Sequence, residues 1–164
     1  MKTAKPLIVV VLITIGVFWG WSVLFPSPEK QIKAALTRLA QTASFGANEK
    51  SLTRLGAINA VPTFFHTNAV VRLAGGRYGG SLEGKQEIRE AVAGSRAVAQ
   101  SIDIQLTDPQ VTLKDSEAAT VLVTATVYVD GDPTPQLQIL KMEMVRAGRK
   151  WVIKQINPID LDDV

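Results

Sequence analysis

Residues 6–25 contain no charged side chain and consist mostly of branched aliphatic and aromatic residues. A helix rises about 1.5 Å per residue, so this run would be about 30 Å long, which matches the hydrocarbon core of a bilayer. A cleaved signal peptide has a shorter apolar core and small residues before its cleavage site. Here the run ends in Val23, Leu24 and Phe25, followed by Pro26. The stretch predicts an uncleaved transmembrane anchor, with a cleaved signal peptide as the alternative.

Charge at the start of the chain indicates the orientation of this anchor. The segment before the uncharged run, residues 1–5, is short and includes Lys2 and Lys5. Such a segment favours staying in the cytoplasm, although basic residues beyond the span make the asymmetry small. We therefore expect a single-pass protein of a bacterial inner (cytoplasmic) membrane, with its C-terminal domain in the periplasm or otherwise outside the cytoplasm.

Three aromatic residues lie near the far end of the run: Trp19, Trp21 and Phe25. Aromatic rings favour the headgroup level of a bilayer, so these residues are predicted to anchor the span there. Simple apolar filling of the span is the alternative interpretation of the same residues.

The rest of the chain reads as one domain over residues 26–158 and an acidic tail over residues 159–164. The net charge of the whole chain is +3 and includes Lys2 and Lys5, so the domain itself is nearly neutral. Its basic residues are scattered, which argues against nucleic acid as a partner. The chain has no cysteine and one histidine, His66, so disulfides and thiolate sites are excluded. We expect no cofactor and no metal.

Three helices are predicted before the strands. Ser27 and Pro28 begin the first, apolar residues then recur at helical spacing over residues 32–43, and Gly46 is its expected end. Its opposite face carries positive charge at Lys30, Lys33 and Arg38. A solvated face is the favoured interpretation of that charge, and contact with anionic lipid headgroups is the alternative.

The second helix is predicted over residues 48–60, with Leu52, Leu55 and Ile58 facing inward. A short strand and a glycine-rich turn at residues 75–80 follow it. The third helix is predicted over residues 82–92, with Ile88 facing inward.

Beyond residue 100 the apolar period changes to two, which is typical of strands with one covered face. The predicted strands span residues 101–113 with a bulge near Pro109, residues 120–129, residues 137–146 and residues 150–156. Helices followed by such strands predict an α+β fold, in which a curved, cone-shaped antiparallel sheet packs on about three helices behind one transmembrane helix.

Two motifs in this order of elements resemble a known superfamily. Gly84, Lys85 and Ile88 open the third helix in the pattern Gly-Lys-x-x-Ile, and residues 148–153 have the pattern Gly-x-x-Trp-x-Ile on the last strand. Together with the element order, they resemble the nuclear transport factor 2-like superfamily, near its SnoaL-like and ketosteroid-isomerase-like branches. The resemblance implies a cone-shaped barrel whose mouth binds a small apolar molecule or a partner, and it implies homodimers through the open sheet face.

Enzymes of that superfamily use an Asp, His or Tyr inside the cone for proton transfer, which makes Asp103, Tyr128 and His66 the candidate catalytic residues. Asp103 is expected on the polar side of its strand, and no second carboxylate is predicted beside it. His66 is expected at the end of the second helix, where a ring more often caps or packs. Tyr128 is interpreted as an ordinary half-buried strand residue. We therefore assign no catalytic residue from sequence.

A membrane anchor on a domain that is short of catalytic residues favours a non-enzymatic binding or assembly module. The expected partners are the lipid bilayer and a membrane protein or a second copy of the chain. The layout is similar to that of inner-membrane scaffold proteins, including a component of type IV secretion machines. The alternatives are a binder of a small hydrophobic ligand or lipid in the cone, and a ketosteroid-isomerase-like or cyclase-like enzyme.

Overall fold

The structure is a computed structural model that describes residues 26–73 and 80–159. Its elements in chain order are α1 (Pro28–Ala43), α2 (Ser51–Ala60), the 3-10 turn Val61–Phe64, β1 (Phe65–Leu73), β2 (Gly80–Glu83), α3 (Gly84–Val98), β3 (Ile102–Leu113), β4 (Ala118–Val129), β5 (Gln136–Ala147) and β6 (Lys150–Ile159). None of the helices in these residues has the length and apolar character needed to cross a membrane. The predicted anchor at residues 6–25, with Trp19, Trp21 and Phe25, lies outside the described residues. So do residues 75–79 of the glycine-rich turn and residues 160–164 of the tail.

Helix α1 begins as the sequence predicts and ends before Gly46. The Ser27 hydroxyl accepts a hydrogen bond from the Lys30 amide at 3.4 Å, and Pro28 occupies the first turn. At the other end, the Ser44 hydroxyl donates to the Ala40 carbonyl at 2.8 Å and accepts from the Ile104 amide at 2.9 Å. Because Ser44 joins the helix end to β3, the chain leaves the helix there.

Helix α2 has a different orientation from the one predicted. Leu52 is 84% exposed and Leu55 is 57% exposed, whereas Ala57 is buried. The prediction that both leucines face inward is therefore wrong. A short helix of ten residues can bury a narrow stripe only, and its small Ala57 lets it approach its neighbours closely.

Helix α3 is longer than predicted and contributes Ile88 to the core, as expected. The backbone amide of Glu83 donates to the Glu87 carboxylate at 2.7 Å, which ties the residue before the helix to its first turn. The helix continues to Val98 and carries Arg96, which is 2% exposed, in its last turn. Arg96 therefore lies on the inner stripe with Ile88, two helical turns farther along.

The six strands form one sheet in the order β2-β1-β6-β5-β4-β3. Every neighbouring pair is antiparallel except β1 and β6, which are parallel, with Phe65 opposite Ile153. The predicted antiparallel sheet is thus corrected to a mixed one. Alternation of apolar and polar residues indicates which face of a strand is covered, but it is the same for either strand direction.

Two irregularities shape the sheet. The register of β3 against β4 shifts between Thr107 and Gln110, where Asp108 has a φ of 51°, so the bulge predicted near Pro109 is confirmed. Strand β6 runs on to Ile159, so the predicted end of this strand at residue 156 is wrong. Pro158 lies beyond the last residue of β6 that pairs with β1, so β6 pairs there with β5 alone among the described strands, and proline is tolerated at such an edge.

The core lies between the inner face of the sheet and the helices. Helix α1 packs against β3 and β6, and α3 packs against β1. The predicted inner residues Val121 and Val123 of β4 are 0% and 2% exposed. The curved sheet with three helices on one face is therefore the α+β architecture that the sequence predicts.

Candidate functional site

Buried apolar side chains form the core between sheet and helices. The largest fully buried ones come from α1 and from β4, β5 and β6: Ile32, Val121, Val123, Met142, Met144 and Ile153. Among the described residues, Arg96 is the one buried polar or charged residue. Its guanidinium is paired there with the Glu49 carboxylate, whose side chain is 8% exposed.

Arg96 contacts a carboxylate, two backbone carbonyls and an aromatic ring. Its Nε lies 3.3 Å from the Glu49 carboxylate, and its terminal nitrogen donates to the carbonyls of Thr42 and Ala43 at 3.1 and 3.3 Å. Its guanidinium also lies 4.6 Å from the centre of the Phe45 ring. A buried guanidinium whose donors are used in this way fixes the C-terminal ends of α1 and α3 to each other.

The sequence interpretation missed Arg96 because the third helix was predicted to end at Val92. One signal could have found it. Ile88, Val92 and Arg96 are spaced at i, i+4 and i+8, so a longer helix places the guanidinium on the apolar stripe.

Two of the three candidate catalytic residues lie side by side. Asp103 on β3 is directly opposite Tyr128 on β4. The inner residues Val121 and Val123 alternate with this position, so Tyr128 is on the outer face of the sheet. Asp103 is exposed, and its carboxylate accepts a hydrogen bond from the side-chain amide (Nε2) of Gln105 at 2.9 Å. The pair is therefore open to solvent on the side of the sheet away from the helices.

The third candidate, His66, is far from this pair in the sheet. It is the second residue of β1 and not the end of the second helix as predicted, because the 3-10 turn through Pro62 ends the helical segment first. Its Nδ1 accepts a hydrogen bond from the Asn68 amide at 3.2 Å. Strands β6 and β5 separate β1 from β4, so the structure does not bring His66 to Tyr128.

Two other acids that the sequence places in a turn have structural partners. One carboxylate oxygen of Asp130 accepts hydrogen bonds from the amides of Gln100 and Ser101 at 2.6 and 2.8 Å. Asp132 accepts from the Thr134 amide within its own turn at 2.8 Å. In residues 26–73 and 80–159, no group of three or more His, Cys, Asp or Glu side chains is placed to hold a metal ion.

A groove of about 850 Å³ lies between the solvent side of α1 and the β5–β6 hairpin. It is open to solvent and lined by cations, small and apolar side chains and one buried ring. Its basic residues are Lys30, Arg38, Arg146, Arg149 and Lys150, and no carboxylate is among its lining residues. We call it the basic groove.

Helix α1 supplies one wall of the basic groove. Lys30, Ala34 and Arg38 follow one another at i, i+4 and i+8, which places them on one stripe of the helix. Ala34 and its neighbour Ala35 are small, so they leave room between the two cations. In the described part of the chain, no carboxylate lies within ion-pair distance of Lys30 or Arg38.

The β5–β6 hairpin supplies the opposite wall. Ala147 pairs with Lys150, so Gly148 and Arg149 form a two-residue connection. Gly148 occupies the first central position with a φ of 64°, a conformation that favours glycine in such turns. The tight turn presents Arg146, Arg149 and Lys150 together toward α1.

Trp151 closes the base of the basic groove. It is 4% exposed and contacts the core on one side while lining the groove on the other. Its indole Nε1 is buried and has no hydrogen-bond partner among the described residues. A buried Trp N–H normally finds an acceptor, so this unpaired donor is an exception to the usual pattern.

The fold has clear counterparts among solved structures. An NTF2-like protein with a cystatin-like fold from Novosphingobium aromaticivorans has a TM-score of 0.64 at 14% identity, covering 83% of this chain and 83% of that chain. A candidate dehydratase of the NTF2-like family from Streptomyces avermitilis has a TM-score of 0.62 at 18% identity, covering 82% and 99%. A candidate aromatic ring hydroxylase from N. aromaticivorans has a TM-score of 0.64 at 18% identity, covering 82% and 92%.

No protein-family model matches the chain, and no curated protein matches it. At the identities of these solved structures, the likeness establishes the fold alone. The described domain therefore has the nuclear transport factor 2-like, or cystatin-like, fold.

Proposed function

We propose that the chain is a membrane-anchored, non-enzymatic binding module that contacts a protein partner in a membrane complex. The observation that carries this proposal is the apolar core between sheet and helices, where the buried Arg96 is paired with Glu49 and the end of α1 and lies against Phe45. Enzymes of this fold work with polar groups in that space, according to the resemblance described above. A domain with an apolar core and a paired arginine there is suited to binding through its surface.

The placement of the candidate catalytic residues supports the same proposal. Asp103 and Tyr128 are on the outer face of the sheet, and His66 is on a separate strand. An acid and a base that act on one substrate must both lie within hydrogen-bond reach of it. These three residues do not meet that condition in one enclosed site.

A partner protein fits the outer face of β4 and β5. This face exposes Leu122 at 39% and Leu137 at 61%, with Tyr128 half-buried beside them. Its charged residues include Lys141 and Glu143, and Glu143 pairs with Lys114 at 3.7 Å. Apolar and aromatic side chains inside a polar border are typical of protein interfaces. The partner is another membrane protein or a second copy of this chain.

Attachment to a bacterial inner membrane, with the domain in the periplasm, is the second part of the proposal. It rests on the uncharged run at residues 6–25 and on the basic residues that precede it. In the sequence, α1 begins at Pro28, three residues after Phe25, the last residue of the predicted span.

The second candidate function is an enzyme or a small-ligand binder of the same fold. Two of the similar solved structures are named as a candidate dehydratase and a candidate aromatic ring hydroxylase. Those names describe the other proteins, and they bring the enzyme hypothesis to this chain through the shared fold only. We rank it second because the core between sheet and helices is apolar.

The full-length chain, expressed in its own cells, tests each part separately. Alkaline extraction should leave it in the membrane pellet, and a periplasmic protease should digest the domain in spheroplasts. The triple variant Asp103→Asn, Tyr128→Phe, His66→Gln should complement a deletion strain as well as the original sequence does. A photocrosslinker at Leu137 should give one discrete adduct, while the same crosslinker at Leu52, which is also exposed, should give none. Loss of complementation by a folded triple variant would favour the enzyme.

A further inference from the structure

The basic groove has a composition that selects anions. Five cations border it, from α1 on one side and from the β5–β6 hairpin on the other, and no carboxylate is among the described residues that line it. Like charges that converge on one opening repel each other, and the repulsion is relieved when an anion enters. The arrangement differs from the rest of α1, where Lys33 is neutralised by Glu29 at 2.6 Å.

Trp151 gives the basic groove a reporter. The residue lines the groove, and its indole N–H is buried without a partner among the described residues. A ligand that settles against the ring changes the surroundings of this N–H group.

The lining also has an apolar part. Ala34, Ala35, Phe64 and Val152 line the groove together with the cations. A bare inorganic anion would leave these side chains against water, whereas a phosphate that carries a glycerol group and the start of acyl chains would cover them. The groove therefore fits an amphipathic phosphate ester better than a free phosphate.

The position of the groove relates it to a membrane. Pro26 lines the groove and directly follows Phe25, the last residue of the predicted span. Consecutive Cα atoms are about 3.8 Å apart, so one edge of the groove lies within a residue or two of the depth at which the span leaves the hydrocarbon. That depth is where lipid phosphate groups lie.

We propose that the basic groove binds the phosphate group of anionic phospholipids, such as phosphatidylglycerol, in the membrane that holds the chain. This inference rests on the membrane attachment in the proposed function and adds the ligand. The Arg38 and Arg149 guanidinium groups hold the phosphate from opposite walls, and the Trp151 ring lies at the base of the groove. Binding would orient the domain by holding the groove against the bilayer surface and the outer face of β4 and β5 away from it.

The test uses the full-length chain in micelles of a neutral detergent, labelled with ¹⁵N on its indole nitrogens. The chain has three tryptophans, and the Trp151→Phe variant identifies the indole signal of Trp151. The sample is titrated with short-chain phosphatidylglycerol, with short-chain phosphatidylcholine, with glycerol phosphate and with inorganic phosphate. The Trp151 signal should shift saturably with phosphatidylglycerol and much less with the other three probes.

Paired variants then locate the site. At about 1 kcal/mol for each basic residue near an anionic lipid surface, the double variant Arg38→Gln, Arg149→Gln should weaken binding roughly thirtyfold. Lys141→Gln is the matched control, since it removes a charge from the outer face of the sheet. The control should change the affinity by less than about twofold.

Two results overturn the inference. One is an affinity for phosphatidylglycerol that the double variant leaves unchanged, which would assign the binding to the detergent-embedded segment. The other is equally tight binding of glycerol phosphate or inorganic phosphate, which would assign the groove to a soluble anion. The proposed function is tested separately. If alkaline extraction releases the chain from membranes while the groove still binds phosphatidylglycerol, the membrane anchor is contradicted. The assignment of the groove's ligand then still stands.

Discussion

Arg96 and Glu49 form an ion pair inside the domain, with 3.3 Å between Nε and the carboxylate oxygen and side chains that are 1% and 8% exposed. Arg54 lies 3.8 Å from the same carboxylate and donates to the Arg96 carbonyl at 2.9 Å. The pair links the segment after α1 to the last turn of α3. Because the partners of a buried charge are hard to replace, this contact is expected to be more important for stability than any ion pair on the surface.

Glu49→Gln should lower the free energy of unfolding by about 3 kcal/mol, because it leaves the Arg96 charge buried without a carboxylate. Glu29→Gln is the matched control: it removes the exposed Glu29–Lys33 pair at i, i+4 and should change stability by no more than about 0.5 kcal/mol. Urea unfolding of the full-length chain in neutral detergent measures both values. Equal losses in the two variants would contradict a special role for the buried pair.

Trp151→Phe should change the free energy of unfolding by about 1 kcal/mol or less, since losing a donor that has no partner offsets the smaller ring. Trp151→Ala should cost about 3–5 kcal/mol, because it removes the whole ring from the core. The same unfolding measurement compares them. A phenylalanine variant as unstable as the alanine variant would mean that the indole N–H has a partner within the chain.

Gly148→Ala should destabilise the domain by about 1–2 kcal/mol, because Gly148 has a φ of 64° in the β5–β6 turn. A Cβ there would meet no atom within 4 Å, so the loss reports the backbone conformation alone. Gly94→Ala is the opposite case. A Cβ at Gly94 would also meet no atom within 4 Å. Gly94 lies within α3, however, where alanine should stabilise the domain by about 0.5–1 kcal/mol.

The orientation of α2 predicts a contrast between two leucines. Leu55→Gln should change stability by no more than about 0.5 kcal/mol, since Leu55 is 57% exposed. Leu36→Ala should cost about 2–5 kcal/mol, since Leu36 is 2% exposed in α1. A large loss from Leu55→Gln would restore the inward orientation expected from the sequence.

The strands of the second half could be predicted from sequence because one face of the sheet is covered and the other is open. Because of that difference, apolar residues recur at every second position of β4, so Val121 and Val123 could be assigned to the core. The parallel pairing of β1 with β6 could not be predicted, because it joins Phe65 to Ile153 across the length of the domain. The exposed face of α2 was missed for a related reason, since a short apolar stripe fits either side of a helix.

The basic groove could be predicted only in part. The sequence shows positive charge on α1, and contact with lipid headgroups was the less favoured interpretation of it. What the sequence does not show is that Arg38 and Arg149 border the same groove, because Arg38 is on α1 and Arg149 is in the turn before β6. The groove forms only when α1 packs on β6. The unpaired indole of Trp151 likewise becomes visible only when its surroundings are complete.

Strand β6 is the last of the described elements in chain order, yet it lies inside the sheet, between β1 and β5. Strands β1 and β2 precede it by many residues, and they join the sheet only along the edge of β6. During synthesis these two strands must therefore wait until β6 has left the ribosome before they can pair with the rest of the sheet. Contacts between segments so far apart in sequence form slowly. The edge of β1 that pairs with β6 stays open until then, so the sheet is completed in one late step and not strand by strand.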